Sequence, residues 1–200
     1  MAAKSTIQLV SSRCYALAMG YDSAATRSRL LDAAYDEFVE RGLAGARVDR
    51  IAAAAQANKQ AIYAYFGSKE NLFDAVLAAR LGVLADEAPF DPDDLPGYAG
   101  ALFDALAATP GLMRLTQWSR LERSDATPGE IESHRAKAQA VRKALDLPDD
   151  LAATDILEIV IAIATTWVNM PAGLKTTTSA RQRIHRATVV AATEAIIKAL

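Results

Sequence analysis

The run Ile51-Ala52-Ala53-Ala54-Ala55-Gln56-Ala57-Asn58-Lys59-Gln60-Ala61-Ile62-Tyr63-Ala64-Tyr65-Phe66-Gly67-Ser68-Lys69-Glu70-Asn71-Leu72 decides how the chain is read. Alanine gives up no side-chain entropy on entering a helix, so Ile51 to Ala55 closes a short helix begun at Val48. Gln56-Ala57 breaks it. Asn58 is a good N-cap for the next helix, because its carboxamide oxygen can accept a free first-turn N–H. That helix ends at Phe66, and Ile62 and Phe66, four residues apart, share its inward face. Gly67-Ser68 stops it and caps a further helix carrying Leu72, Phe73, Val76 and Leu77. Two short helices across a tight turn, residues 47–66, have the spacing of a helix-turn-helix.

Outward from that unit the chain reads as helix throughout. Upstream, Leu30, Leu31, Ala34, Phe38 and Val39 make one apolar face of a helix from about Ala25 to Arg41. Ser23 or Thr26 can cap it, and Gly42 sits where a left-handed C-terminal residue is wanted. A short loop, Leu43 to Ala46, follows. Downstream, Pro89 to Pro96 is an acidic break. Helices are expected at about 96–108, 111–123, 128–145, 150–170 and 179–199, with prolines at or before their starts, where a missing N–H costs nothing. The expected fold is all-α with about nine helices: an arm over residues 1–22, a three-helix head over 23–70 and a helical body over 71–200.

Composition narrows the function. The 200 residues are 52% apolar and 23% charged, enough for a core, and 43 alanines against seven prolines suit helices. The single Cys14 excludes an internal disulfide and a thiolate metal cluster. The most apolar stretch, Ile156 to Val168, is short for a membrane span and contains Glu158, so a buried helix is expected there. Near the start, Lys4, Ile7 to Val10 and Ala16-Leu17-Ala18 have the outline of an export signal. Ser11, Ser12 and Arg13 interrupt its apolar core, leaving a disordered arm or an over-extended start with Met19 as initiator. A cytoplasmic protein is expected. Enzyme patterns fail: Ile131 and Gln182 stand three residues before His134 and His185, where a di-iron bundle needs glutamates. Two histidines and one cysteine make no zinc set, and there is no phosphate loop or nucleophile elbow. No cofactor or metal is expected.

The outward side of the 58–66 helix carries Lys59, Gln60, Tyr63 and Tyr65. A lysine can meet a phosphate or guanine, a glutamine carboxamide can pair with adenine, and phenols can donate to phosphates. Lys69 adds a cation beside free helix N-terminal amides. The same residue types also suit an ordinary solvated surface. Residues 1–72 hold nine Lys/Arg against seven Asp/Glu, and residues 73–200 hold 13 against 17, so the head is the relatively basic part.

Spacing across residues 25–75 resembles the TetR (tetracycline-repressor) family, whose signature reads roughly I-A-x-x-A-G-V-S-x-x-x-[LI]-Y-x-[HY]-F-x-[SN]-K-x-x-L. The resemblance implies that Tyr63 and Lys69 contact phosphates and that Tyr65 makes the following aromatic or histidine contact. It places Lys59, Gln60 and Ala61 at the variable base-reading positions, and Ile62 and Phe66 at the buried anchors. Three residues depart from it. Gln56 stands for the turn glycine and must then take positive φ at some steric cost. Asn58 replaces a serine, one cap for another. Arg47 replaces a capping Thr or Ser and adds a cation beside the DNA backbone.

The resemblance further implies a body that binds a small molecule and a homodimer formed through the last two helices. In 150–170, Ile156, Ile159, Val160, Ile163 and Trp167 make one apolar face and Leu157, Ile161, Ala164 and Val168 another. In the last helix, Ile184, Ala187, Thr188, Ala191, Ala195 and Ile196 permit close approach. Candidate effector contacts are Phe103, Met113, Trp118, His134 and Trp167, with Thr165, Thr166 and Asn169 as a polar lining. An apolar or aromatic effector is expected. The function so implied is a ligand-responsive repressor on a palindromic operator; its rival is a helical small-molecule-binding module with a degenerate DNA-binding head.

Overall fold

The computed structural model describes residues 3–123, 125–175 and 178–200, with side chains from residue 23 onward except Ala172. The arm expected over residues 1–22 lies outside the described side chains. Among the described residues the protein is helical without strands, and it divides into two compact units, Met1–Val76 and Leu77–Leu200.

The first unit contains α1 (Ala3–Gly45), α2 (Val48–Ala54), α3 (Lys59–Phe66) and the start of α4 (Lys69–Glu87). Leu30, Ala34 and Phe38, four residues apart, are fully buried on one face of α1. They pack with Ile51, Ile62, Leu72 and Phe73 in one apolar core, where Phe38 and Phe73 meet edge to face at 5.0 Å. Val76 is buried as well, so the unit reaches into α4.

Two details of α1 differ from the sequence reading. The helix passes through Ser23 and Thr26, whose hydroxyls accept from Tyr65 and Arg29. Past Gly42 the chain stays helical to Gly45 after a kink. Gly42 has φ 69°, a value that glycine reaches without a Cβ clash, so the axis changes direction where a stop was expected. Gly67, at φ 79°, closes α3, and the Ser68 hydroxyl accepts from the Asn71 N–H to start α4.

The second unit holds the remainder of α4 and then α5 (Leu95–Ala108), α6 (Pro110–Glu122), α7 (Pro128–Ala144), α8 (Asp150–Asn169) and α9 (Ser179–Lys198), with a 3₁₀ turn at Ala172–Leu174. Short polar side chains start α5, α7, α8 and α9: Asp94, Asp149 and Thr178 each accept from a first-turn N–H, and Thr127 with Glu130 forms a reciprocal capping box. α5 is the centre, packed against both α8 and α9. Gly100 allows that approach, since a Cβ there would stand 3.0 Å from the Val190 side chain.

On α8 the buried residues are Ala153, Ile156, Leu157, Val160, Ala164 and Trp167. This single stripe draws members from both faces expected from the sequence, because a 3.6-residue period runs between them. Ile159 is left 43% exposed.

Candidate nucleic-acid interface

Arg47 to Lys69 span α2, the turn and α3 of the first unit. α2 begins without a side-chain cap from Arg47, as the loss of a Thr or Ser there requires. Glu37 of α1 supplies the acceptor instead. Its carboxylate takes the Arg47 N–H at 2.9 Å and the Arg50 Nε–H at 2.8 Å, and Arg50 also donates to the Gly45 carbonyl. The Glu37 side chain is 10% exposed. Burial works to raise its pKa, but hydrogen bonds from Arg50 and the Arg47 N–H, with the charges of Arg50 and Arg41, outweigh it and hold the carboxyl below its ordinary 4.5. At the other end of α2, Arg29 Nε donates to the Ala55 carbonyl at 3.2 Å, a cation where the helix dipole is negative.

The turn confirms its expected strain. Gln56 adopts φ 52°, the left-handed region in which a Cβ is crowded. α3 then starts at Lys59 with the Asn58 carboxamide oxygen accepting from the Ala61 N–H at 2.8 Å. Ile62 and Phe66 are buried beneath it, and the Arg27 guanidinium stands 5.3 Å from the Phe66 ring centroid.

The opposite face of α3 is open. Asn58, Lys59, Gln60, Tyr63 and Tyr65 are exposed, and Ala61 is half-buried at the edge. Three of the cations and phenols singled out from the sequence have internal partners. The Lys59 ammonium lies 3.0 Å from Asp49, a hydrogen bond and charge that raise its pKa. Tyr65 donates to the Ser23 hydroxyl at 2.9 Å, and Lys69 donates to the Ala46 carbonyl at 3.3 Å. Tyr63 projects outward, 45% exposed. Arg47 is exposed at the start of α2. Glu37, Arg50, Arg29 and Asp49 were not legible as a set. Glu37 and Arg50 lie thirteen residues apart, a separation with no helical or turn periodicity.

The five candidate effector residues are divided. Phe103 and Trp167 are buried in the second unit with ring centroids 6.2 Å apart, and His185 stacks on both, at 5.7 and 5.2 Å. Burial, with the nearby Arg181 charge, lowers the His185 pKa below 6.5. Trp118 is half-buried on α6. His134, on the stripe of Ile131, Ala138 and Val141, turns outward and pairs with Glu158 at 2.9 Å. Met113 lines an open pocket of about 470 Å³ between α6 and α8, with Arg120, Glu158, Thr165, Thr166 and Asn169.

A helix anchored by two buried side chains, polar on its far face and docked across a tight turn on a second short helix, defines a helix-turn-helix DNA-binding regulator. Residues 30–76 match the family of bacterial regulatory proteins, tetR family, and residues 94–195 match the tetracyclin repressor-like C-terminal domain. The chain belongs to the tetR family of transcriptional regulators. It is 42% identical over 157 residues to the HTH-type transcriptional repressor SCO4008 of Streptomyces coelicolor, covering 75% of this chain and 82% of that protein. The HTH-type transcriptional repressor NicS of Pseudomonas putida is 46% identical over 52 residues, 26% of this chain and 24% of its own. Among solved structures, the putative transcriptional regulator SCO4942 from Streptomyces coelicolor superposes with a TM-score of 0.73 at 38% identity, over 86% of this chain and 97% of that one.

Proposed function

We propose that the protein is a homodimeric cytoplasmic repressor that holds a palindromic operator and is released from it by a small molecule. The observation that carries the reading is the division of α3: Ile62 and Phe66 are sealed in the core while Lys59, Gln60 and Tyr63 stand in solvent. In this reading Gln60 and Lys59 address base edges, and Ala61 lets the helix come close. Asn58, Arg47, Tyr63, Tyr65 and Lys69 meet backbone phosphates. Lys59 and Tyr65 exchange exposed internal bonds for contacts to DNA, a low-cost exchange because exposed ion pairs are worth roughly 0–1 kcal/mol. The two relatives whose names give them as repressors favour repression over activation.

Dimerisation rests on the last two helices. α8 has a mean hydropathy of 1.7 over its most apolar window, of which 28% is buried within the chain. By length and composition it could cross a membrane, but Asp155 and Glu158 interrupt its open face. A second copy is the better cover. Ile159 and, on α9, Ile184 are 43% and 59% exposed, beside the small exposed Ala187, Thr188, Ala191 and Ala195. Two-fold pairing would set two α3 helices in major grooves about 34 Å apart.

Fluorescence anisotropy with labelled DNA from upstream of its own gene, across a salt series, tests the reading. Specific binding that falls steeply with salt is expected. Tyr63→Phe and Lys69→Ala should weaken binding to every sequence, whereas Gln60→Ala should flatten the preference among operator variants. Binding indifferent to sequence, with and without metabolite extract, would refute it. Sedimentation equilibrium of Ile184→Glu should give monomer where the parent gives dimer.

A further inference from the structure

We infer that the α6–α8 pocket is a site for a small monocarboxylate with an apolar body. This rests on the effector reading above and names the ligand class. Met113 and Arg120, seven residues apart, line the pocket from one side of α6. Glu158, Ile161, Thr165 and Asn169 line it from one face of α8. The volume of about 470 Å³ suits a small organic molecule.

The charges and hydrogen-bonding atoms around the pocket decide the ligand's chemistry. The Glu158 carboxylate is met by His134 at 2.9 Å. Among the described residues, no carboxylate pairs with Arg120 in the same pocket. Asn169 accepts through Oδ1 from Gln117 at 2.9 Å, which leaves its Nδ2 hydrogens for another partner. The Thr165 hydroxyl hydrogen is committed to the Ala162 carbonyl, so this group presents lone pairs, while the Thr166 hydroxyl is engaged by the Ile163 carbonyl and by His185 Nε2 at 3.0 Å. Two sets of donors, one of them cationic and planar, are therefore left for an anion. A guanidinium matches a carboxylate in a bidentate fork. With one guanidinium and the Glu158 carboxylate lining the same pocket, a monoanion is favoured over a phosphate dianion. Ile161, Met113 and Met170 supply the apolar wall for the rest of the molecule. The expectation of an apolar or aromatic effector thus acquires a charged end.

The test is isothermal titration of the full-length protein with straight-chain and phenyl-substituted carboxylates of roughly six to ten carbons, a size the pocket admits. Each is paired with its primary amide, and inorganic phosphate serves as the dianion control. At least one carboxylate should bind, with its amide and phosphate weaker by about tenfold or more, and Arg120→Gln should remove that difference. Asn169→Leu should weaken the same carboxylate, and Met113→Ala should weaken long chains more than short ones. Equal binding of acid and amide, binding unaltered in Arg120→Gln, or no binding across the panel by a protein that still binds its operator would each overturn the inference and leave the DNA-binding reading standing. Carboxylate binding that Arg120→Gln abolishes but that leaves operator affinity unchanged would support the site and overturn effector release.

Discussion

Replacing Glu37 should loosen the helix-turn-helix from its base. The carboxylate is 10% exposed and accepts from the Arg47 N–H and from Arg50, so it caps α2 and ties it to α1 at once. Hydrogen bonds to a charged group are worth about 1.5–3 kcal/mol each by substitution, but the Arg50 side chain is 38% exposed and solvent screens its share. Glu37→Gln, which keeps one acceptor oxygen, should therefore cost about 1–2 kcal/mol, and Glu37→Ala about 2–3 kcal/mol. The linkage gives a second readout. The folded pKa lies below the ordinary 4.5, so the charged form stabilises the fold fully above that value and the benefit disappears as pH falls through the folded pKa. Urea unfolding followed by circular dichroism at pH 7 and at pH 3 measures both. The gap between parent and Glu37→Gln should be present at pH 7 and narrower at pH 3, below the ordinary 4.5. In a cycle with Arg50→Ala the two losses should be far from additive. A Glu37→Gln protein as stable as the parent at pH 7, or a gap that persists unchanged at pH 3, would refute the reasoning.

Other expectations follow from single residues. Gln56 sits at φ 52°, so Gln56→Gly should be neutral to stabilising by up to about 1 kcal/mol, and Gln56→Val destabilising by about 1–2 kcal/mol, in thermal unfolding. Asp49 holds the Lys59 ammonium at 3.0 Å; Asp49→Asn should free it, tighten DNA binding a few-fold and steepen the salt dependence, as measured by anisotropy. His185 has its folded pKa below 6.5 because of burial and Arg181, so the unfolded chain binds its proton first. Stability should consequently fall as pH drops below about 6.5 and level off beneath the folded pKa, and His185→Gln should flatten that part of the profile in calorimetry.

The helices were legible because their signals are local. The apolar period of Leu30, Ala34 and Phe38, the cap at Asn58, and the prolines at 96, 110 and 128 each act within a turn or two. α5 to α9 accordingly fall within a residue or so of the ranges read from the sequence. The positive φ of Gln56 was legible too, through the resemblance, because Gln56 stands where the family signature has its turn glycine. The internal partners of the residues expected to meet DNA were not. Tyr65 reaches Ser23 across 42 residues and Lys69 reaches Ala46 across 23, distances over which no residue pattern repeats. What the sequence marks as exposed chemistry is thus partly occupied in the free protein.

That occupation bears on how the interface works. A lysine held by Asp49 and a tyrosine held by Ser23 are restrained near the positions from which they would reach DNA, so part of their side-chain entropy is already lost before binding. Each partner is exposed and weakly coupled, so little enthalpy is surrendered when a phosphate replaces it. Glu37 differs in kind. Its carboxylate is itself largely buried, and its bonds to the Arg47 N–H and to Arg50 tie α2 to α1. The same head therefore uses ion pairs in two ways: one on a largely buried carboxylate that fixes where α2 sits, and an exposed one that can open when a better anion arrives. If so, loss of Glu37 should lower operator affinity by disturbing the placement of α3 and leave base preference intact, whereas loss of Asp49 should raise affinity for every sequence.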